Sequence, residues 1–362
     1  MQKSVVITDT EALSPFGNTI NETFNSWMLE KNILKEKFNV ISNFDFYSYS
    51  YKVKTRIDRC GQLCIRTTAQ LIKEKSLCDK DRIGLITVST YGCSESRNNY
   101  FSQLKTLENT QYASPKDFVQ SICNIPNSLA TIECGIRGLT NHYVGASDAS
   151  LTALWQAAKC VKDNIADEII ISSFETITEA QKGFLVENQL EEVKFSEAAA
   201  SVKVQLGENI DKKLVLFEVL GIGFGVGPKT EKAVEIAINN AMKDSKISEQ
   251  DVSFIVSNSN SISEFNKNEK RGIEHLFSNS VPTFMMKAYI GECFAPFSFL
   301  AMAILSKMAG YYLPNNLFLE ADAGNASYLY YDNVLIKKGS ILLLIGYNEM
   351  GSAAAVCLKY GQ

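Results

Sequence analysis

The sequence predicts an α/β fold built from two similar halves with helix-covered sheets, and three observations carry that reading. Apolar strand-like runs alternate with stretches of helical apolar spacing along the chain. Residues 60–88 and 230–256 then read alike. In the first, Cys60, Cys64, Thr67, Leu71 and Ile72 mark a helix, "SLCDKD" a connector and "RIGLITV" a strand. In the second, Ala233, Ile236, Ala237, Ile238 and Ala241 mark the helix, "SKISEQ" the connector and "DVSFIV" the strand. Each strand opens into a Ser-rich loop, "STYGCSES" and "SNSNSIS". The third observation pairs a helix at 149–163 with one at 297–309. Each follows a turn of small residues, stops at Asn164 or Gly310, and leads to a further strand, "EIIISSF" or "SILLLIGY". Repetition on the scale of half the chain points to two halves rather than a solenoid. The boundary falls near the polar stretch 206–213, dividing the chain into 1–207 and 208–362.

At 362 residues, with 46% apolar and 21% charged side chains, the chain can bury a large core and has an ordinary globular balance. A net charge of −4 argues against a nucleic-acid surface, which calls for a basic excess. The start "MQKSVVITD" enters a strand-like run with no apolar signal segment. The most hydrophobic stretch, "FAPFSFLAMAIL" at 294–305, is too short to span a bilayer and reads as a buried helix. Nine cysteines, an odd number, predict free thiols and a cytoplasmic location. Cys60 and Cys64 lie four apart on a helix, but no second ligand pair completes a metal site, so both read as small core residues. "GIGFGVG" at 221–227 lacks the Gly-Lys-Ser/Thr ending of a phosphate loop and reads as an irregular strand-to-helix connection.

The stretch "ASDAS", 146–150, raises the question of chemistry. A Ser at a strand-to-helix turn is a familiar place for a nucleophile. A hydroxyl nucleophile needs an adjacent base, and the chain holds only two histidines, His142 and His275. His142 lies five residues before Ser147 on an extended run and faces the other way. His275 belongs to a helix at 266–277. Ser147 or Asp148 therefore reads most simply as a helix N-cap, with catalysis by Ser147 as the alternative.

In order along the chain, "VVITDTEALSPFGN", "RIDRCGQLCIRTTAQLIKEKSL", "DRIGLITVST", "SPKDFVQSICNIPNSLATIECGIRGL" and "ADEIIISSFET" resemble successive segments of the β-ketoacyl synthase (condensing enzyme) family. The last is similar to a strand ending in Gly-Gly-x-Glu, with Glu175 kept. The resemblance implies a thiolase-like fold, two duplicated α/β/α halves in a five-layered α-β-α-β-α domain. Catalytic members use a Cys at the N-terminus of a buried helix and two His. Aligned on "AAKCVKDNIAD", the nucleophile position falls on Ser147. In "SNSNSISEFNKNEKRGIEHLF" the first His position falls on Asn258, and in "KAYIGECFAPFS" the second falls on Glu292. Lys287 and Glu269 match retained family positions, and they read as a buried structural ion pair. Asn258 and Ser257 also read as residues that satisfy backbone groups in a turn. The family's closing Gly-Phe-Gly-Gly-Thr-Asn loop is largely lost in "YNEMGSAA", where the gating aromatic position falls on Glu349.

These replacements bear on the reaction directly. A Cys at a helix N-terminus ionises readily, whereas a Ser hydroxyl does not. Asn258 retains a donor, but an ionised Glu292 accepts only, and it would oppose the enolate that decarboxylation develops. The loss of all three groups is what a chain length factor shows, the non-condensing partner of a ketosynthase in type II polyketide systems. The resemblance implies a heterodimer with a catalytic ketosynthase across the central strand edge. It also implies an acyl carrier protein docking mainly on that partner, and no metal or nucleotide cofactor. Tyr100, Phe101, Tyr112 and Phe118, in the interface and tunnel-lining segment, are tunnel candidates; ordinary packing is the alternative. Two other readings stay open: a Ser147-dependent acyltransferase or malonyl decarboxylase, and a non-catalytic homodimeric acyl-binding protein.

Overall fold

The computed structural model describes residues 3–29, 34–42, 44–53, 57–73, 79–107, 110–187, 193–259, 263–277, 281–314, 334–348 and 350–361. In the first half β1 (Val5–Leu13) leads through α1 (Ile20–Phe24) and β2 (Phe38–Asn39) to α2 (Arg59–Lys73) and β3 (Ile83–Ser89). Helices α3 (Ser94–Thr106), α4 (Pro115–Gln120) and α5 (Ile125–Cys134) precede β4 (Thr140–Val144) and α6 (Ser147–Lys162). Then come β5 (Glu168–Glu175), α7 (Glu179–Glu187), β6 (Phe195–Ser196) and β7 (Ala198–Leu206). The second half runs β8 (Phe217–Val226), α8 (Thr230–Ser245), β9 (Phe254–Val256), α9 (Ser263–Glu274), β10 (Thr283–Phe284) and α10 (Lys287–Ile290). It closes with α11 (Phe297–Ser306), β11 (Ile341–Tyr347) and β12 (Ser352–Tyr360).

Ten strands join in the order β10-β9-β11-β12-β8-β1-β7-β5-β3-β4. Outward from the β8–β1 seam, both halves follow one rule. The first strand lies at the centre, the last beside it, and then the fourth, second and third. Pairing sense repeats as well. β7 is antiparallel to β1 and β5, while β3 is parallel to β5 and β4; β12 is antiparallel to β8 and β11, while β9 is parallel to β11 and β10. The duplication expected from the sequence is thus present as topology.

Period-2 alternation along the buried strands assigns their side chains to layers. Ile86, Ile171 and Val202 face a central core that also holds Leu342, Leu344 and Val356 from the second half. Helices α6 and α11 fill that central layer and touch strands of both halves. Neighbours Leu85, Ile170 and Ala199 face outward under α2, and Ile255, Leu343 and Ala355 face outward under α8. Helix, sheet, helix, sheet, helix gives the five layers. Helix α11 is apolar all round, as a helix enclosed on every side must be, and Phe297 to Leu305 are all buried.

One sequence expectation fails here. The glycine-rich stretch is not a connection but the C-terminal part of β8. Gly221, Gly223 and Gly225 share one face of the strand, and α8 lies directly on them. A Cβ at Gly223 would stand 2.1 Å from the Ala241 nitrogen, and one at Gly225 2.0 Å from the Ala233 oxygen. The glycines are there so that a helix can approach a strand backbone.

Candidate functional site

The site forms where the start of α6 meets the second half. After β4 the chain turns through Gly145 and Ala146, and a Cβ at Gly145 would lie 2.6 Å from that of Ala149. Ser147 is the first helical residue; the cap position is Ala146, which has no side-chain capping bond. The expected N-cap role of Ser147 is therefore corrected. Its hydroxyl donates to Asn258 Oδ1 at 2.8 Å and accepts from the Tyr347 N–H at 3.2 Å. Its carbonyl accepts from Ser298 Oγ at 3.0 Å. Strand β11 passes so close that a Cβ at Gly346 would stand 2.7 Å from that same carbonyl oxygen. Ser147 is 1% exposed. Asp148 points to the turn after β11, accepting from Asn348 Nδ2 at 3.0 Å and from Ser352 Oγ. Burial raises its carboxyl, against hydrogen bonds that lower it.

Asn258 follows β9. Its N–H donates to Glu269 Oε1 at 2.9 Å, and Glu269 Oε2 accepts from Ser257 Oγ at 2.7 Å and from Ser259 Oγ. Ser257 also does what a turn serine does, accepting from the Ser259 N–H at 3.0 Å. Glu269, on α9, is fully buried; desolvation raises its carboxyl and these three donors, with Lys287, pull it back. The expected Lys287–Glu269 ion pair is not what forms. Lys287 Nζ lies 2.8 Å from Glu292 Oε2, both side chains buried, and 4.6 Å from the Phe297 ring centroid. The reason is local: α10 and the turn after it return Glu292 to within one turn of Lys287, whereas Glu269 is already occupied by the 257–259 loop.

Glu175, at the end of β5, is also fully buried. Its Oε2 accepts from the Thr90 and Tyr91 N–H groups at 2.7 and 3.1 Å, and desolvation pushes the carboxyl up to about 8. Thr90 Oγ1 donates to the Gly145 carbonyl at 2.8 Å, which ties this segment to the Ser147 turn.

The structure thus brings Ser147 and Asn258 into contact and pairs Glu292 with Lys287. His142 turns its Nδ1 to Thr87 Oγ1 at 2.9 Å, and burial lowers its ring to about 4. His275 follows α9 and faces Glu235 at 3.5 Å on the surface. Tyr100 stacks obliquely on Phe101 and Phe118, at 6.0 and 5.3 Å, and Phe101 and Phe118 are about half exposed. Tyr112, between α3 and α4, is 78% exposed. In the single chain Tyr100, Phe101 and Phe118 form a surface patch. Glu349 lies outside the described residues. Sequence reasoning missed Tyr347, whose backbone closes over Ser147, and Phe294, whose backbone is left-handed at φ 59. Nothing local in the sequence announces either.

Chemically, the hydroxyl of Ser147 faces an amide oxygen and a peptide N–H, and neither takes a proton from it at neutral pH. Cys60, Cys64 and Cys293 are buried, and burial pushes all three thiols up, the opposite of an activated nucleophile. Among the described residues no group of three or more His, Cys, Asp or Glu side chains could hold a metal ion, and no helix is long and apolar enough to cross a membrane.

No protein-family model matches the sequence, and no curated protein does. Solved structures do match over the whole chain. The ishigamide ketosynthase/chain length factor superposes with a TM-score of 0.78 at 18% identity, covering 99% of both chains. A β-ketoacyl synthase from Burkholderia phymatum STM815 gives 0.84 at 14% identity, again with 99% of both chains. A type II polyketide synthase acyl-carrier protein in complex with its ketosynthase bound to the hexaketide gives 0.80 at 16%, covering 99% of this chain and 100% of the other. With its duplicated topology and five layers, this chain has the thiolase-like fold of the ketosynthase and chain length factor structures.

Proposed function

We propose that the chain is a non-condensing chain length factor subunit that pairs with a catalytic ketosynthase and shapes the tunnel into which that partner's acyl chain grows. The observation that carries this reading is the state of Ser147. Its hydroxyl is buried and spent within a network of Asn258 and Tyr347, with no base beside it. The positions matching the two histidines are filled by groups already engaged with Ser147, Glu269 and Lys287.

The edge of the sheet supports this reading. Strand β4 ends the ten-stranded order and pairs only with β3 among the described residues, so its outer edge offers unpaired backbone groups. Val144 on that strand is 61% exposed and Ile132 on the preceding helix 63%. A ketosynthase strand adding there would bring the Tyr100–Phe118 surface patch toward the joint tunnel, where bulky rings set chain length by clashing with further two-carbon units. The carrier protein docks mainly on the partner in this reading.

Co-expression with a ketosynthase that carries an intact Cys/His/His set and is encoded next door tests it. A one-to-one complex by size exclusion, acylated only on the partner's Cys when malonyl and starter carrier proteins are added, is the expected result. A lone stable chain that gains acyl mass, lost in Ser147→Ala, would instead establish a Ser147-dependent enzyme. A stable homodimer that binds acyl chains and ignores the ketosynthase would establish the acyl-binding reading.

A further inference from the structure

We infer that Phe294 is a closing ring beside the Ser147 turn, and that Glu292 is the positioning residue that holds it there. Phe294 takes a left-handed backbone, φ 59, which costs a residue with a Cβ on the order of 1 kcal/mol or more and persists only where the surroundings impose it. Glu292 imposes it. One carboxylate oxygen is fixed by Lys287 Nζ at 2.8 Å, and the other accepts the Phe294 N–H at 2.8 Å. The Glu292 backbone is itself clamped, its N–H on the Lys194 carbonyl at 2.7 Å and its carbonyl on the Ser196 N–H at 3.0 Å. The carboxylate that stands at a histidine position of condensing relatives thus has a task of its own, building a strained turn.

That turn is bonded to the segments that carry the site. The next residue, Ala295, accepts from Ser150 Oγ at 2.7 Å, one turn along α6 from Ser147, and its N–H donates to Thr90 Oγ1 at 3.2 Å. Thr90 Oγ1 in turn donates to Gly145, two residues before Ser147. Phe294 and Tyr91 therefore both project from segments bound to the Ser147 turn. Their rings meet edge to face at 5.1 Å. From Phe294 the stacking continues to Phe195 at 5.9 Å and on to Phe38 at 5.6 Å, with the Lys37 and Lys182 ammonium groups 5.8 and 6.0 Å from the Phe38 ring. A column of four rings runs from the turn to a half-buried, lysine-flanked surface. By this inference the column lies on the approach along which an acyl thioester or a small electrophile would reach position 147.

This inference rests on reading the Ser147 site as closed and non-condensing, and it is tested on the full chain without the partner. In an S147C background the introduced thiolate displaces iodide from iodoacetamide, forming a C–S bond, and site-resolved peptide mass gives the rate. F294G and F294N remove the ring while tolerating the left-handed backbone; F294Y keeps the ring. Replacing the ion pair with E292A and K287M together releases the turn without stranding a buried charge. Labelling is expected to be slow in S147C and S147C/F294Y, and ~10-fold or more faster in the F294G, F294N and E292A/K287M backgrounds, as local closure is lost. Circular dichroism and thermal unfolding on the same samples confirm that each variant is folded. Equal rates with and without the ring would overturn the closing role. Acceleration by F294G but not by E292A/K287M would overturn the positioning role. Failure to bind a ketosynthase would refute the proposed function and leave these rates unaffected.

Discussion

Glu175 allows the electrostatics beneath the site to be tested quantitatively. Its Oε1 has no hydrogen-bond partner among the described residues, and desolvation outweighs the two amide donors on Oε2 and the attraction of Arg97. The carboxyl moves from its ordinary 4.5 up to about 8. Between those values the native state holds a proton that the unfolded chain has released, so stability falls as pH rises through the window. At ~1.4 kcal/mol per pH unit, the whole window amounts to ~5 kcal/mol. His142 works in the opposite sense: burial lowers its ring from 6.5 to about 4, so the unfolded chain binds the extra proton there and stability rises with pH across that range. Taken as a pair, the two slopes nearly cancel below pH 6.5, and Glu175 alone adds a fall of ~2 kcal/mol between 6.5 and 8. Glu175→Gln keeps an oxygen for the Thr90 and Tyr91 N–H groups and removes the titration. Urea midpoints from pH 5 to 9 should show the native chain losing stability above 6.5. The variant should lose less stability over that interval, and on acidification His142 should be opposed only by the carboxyls of Glu11, Asp148, Glu168 and Glu269, which burial also raises. Parallel curves for the two proteins would mean that Glu175 is ionised in the native state, and the reasoning would fail.

Other expectations follow from the same contacts. Ser147→Ala leaves the Tyr347 N–H without its acceptor in a buried site, so urea unfolding should show a loss of about 1–3 kcal/mol while condensation by the assembled complex is unchanged. Gly223→Ala places a methyl 2.1 Å from the Ala241 nitrogen of α8, a clash with backbone on both sides, and soluble yield with thermal unfolding should register a loss of ~3 kcal/mol or more. Val144→Lys, on the exposed edge of β4, should abolish co-elution with the ketosynthase while the far-ultraviolet spectrum of the chain is unchanged; a complex of undiminished affinity would remove β4 from the interface.

The fold was legible because its signals are local and repeated. The apolar spacing of α2 and α8, the largely apolar run of α11 and the strands "RIGLITV" and "EIIISSF" each declare their layer within a few residues. The glycine stretch of β8 carries a signal of its own: glycines two apart lie on one face of a strand, and a bare face invites a helix. The site was harder for a physical reason. "Ala-Ser-Asp" before an apolar helix has the composition of a cap, but the hydroxyl's actual partners stand 111 and 200 positions away in the sequence. Lys287 was paired with the wrong carboxylate because nothing in the sequence shows that the 257–259 loop already saturates Glu269, or that the turn after α10 folds Glu292 back onto it.

A reactive site must keep some of its polar groups available to substrate, and this one keeps few. Ser147 and Ser150 come from the first half, whereas Asn258, Ala295, Ser298 and Tyr347 come from the second, so the hydrogen bonds that Ser147 and Ser150 make with the other four join the two halves across the central layer. Strand β11 approaches the helix start closely enough to exclude any side chain at Gly346. The polar groups around Ser147 are engaged in holding the two halves together. Restoring a thiol at Ser147 would weaken hydrogen bonds that pin α6 to β9 and β11, and it would still face an acceptor oxygen at Asn258 and an engaged carboxylate at Glu292. Under the proposed function, activity would require all three positions to change together, with each step on the way loosening the joint.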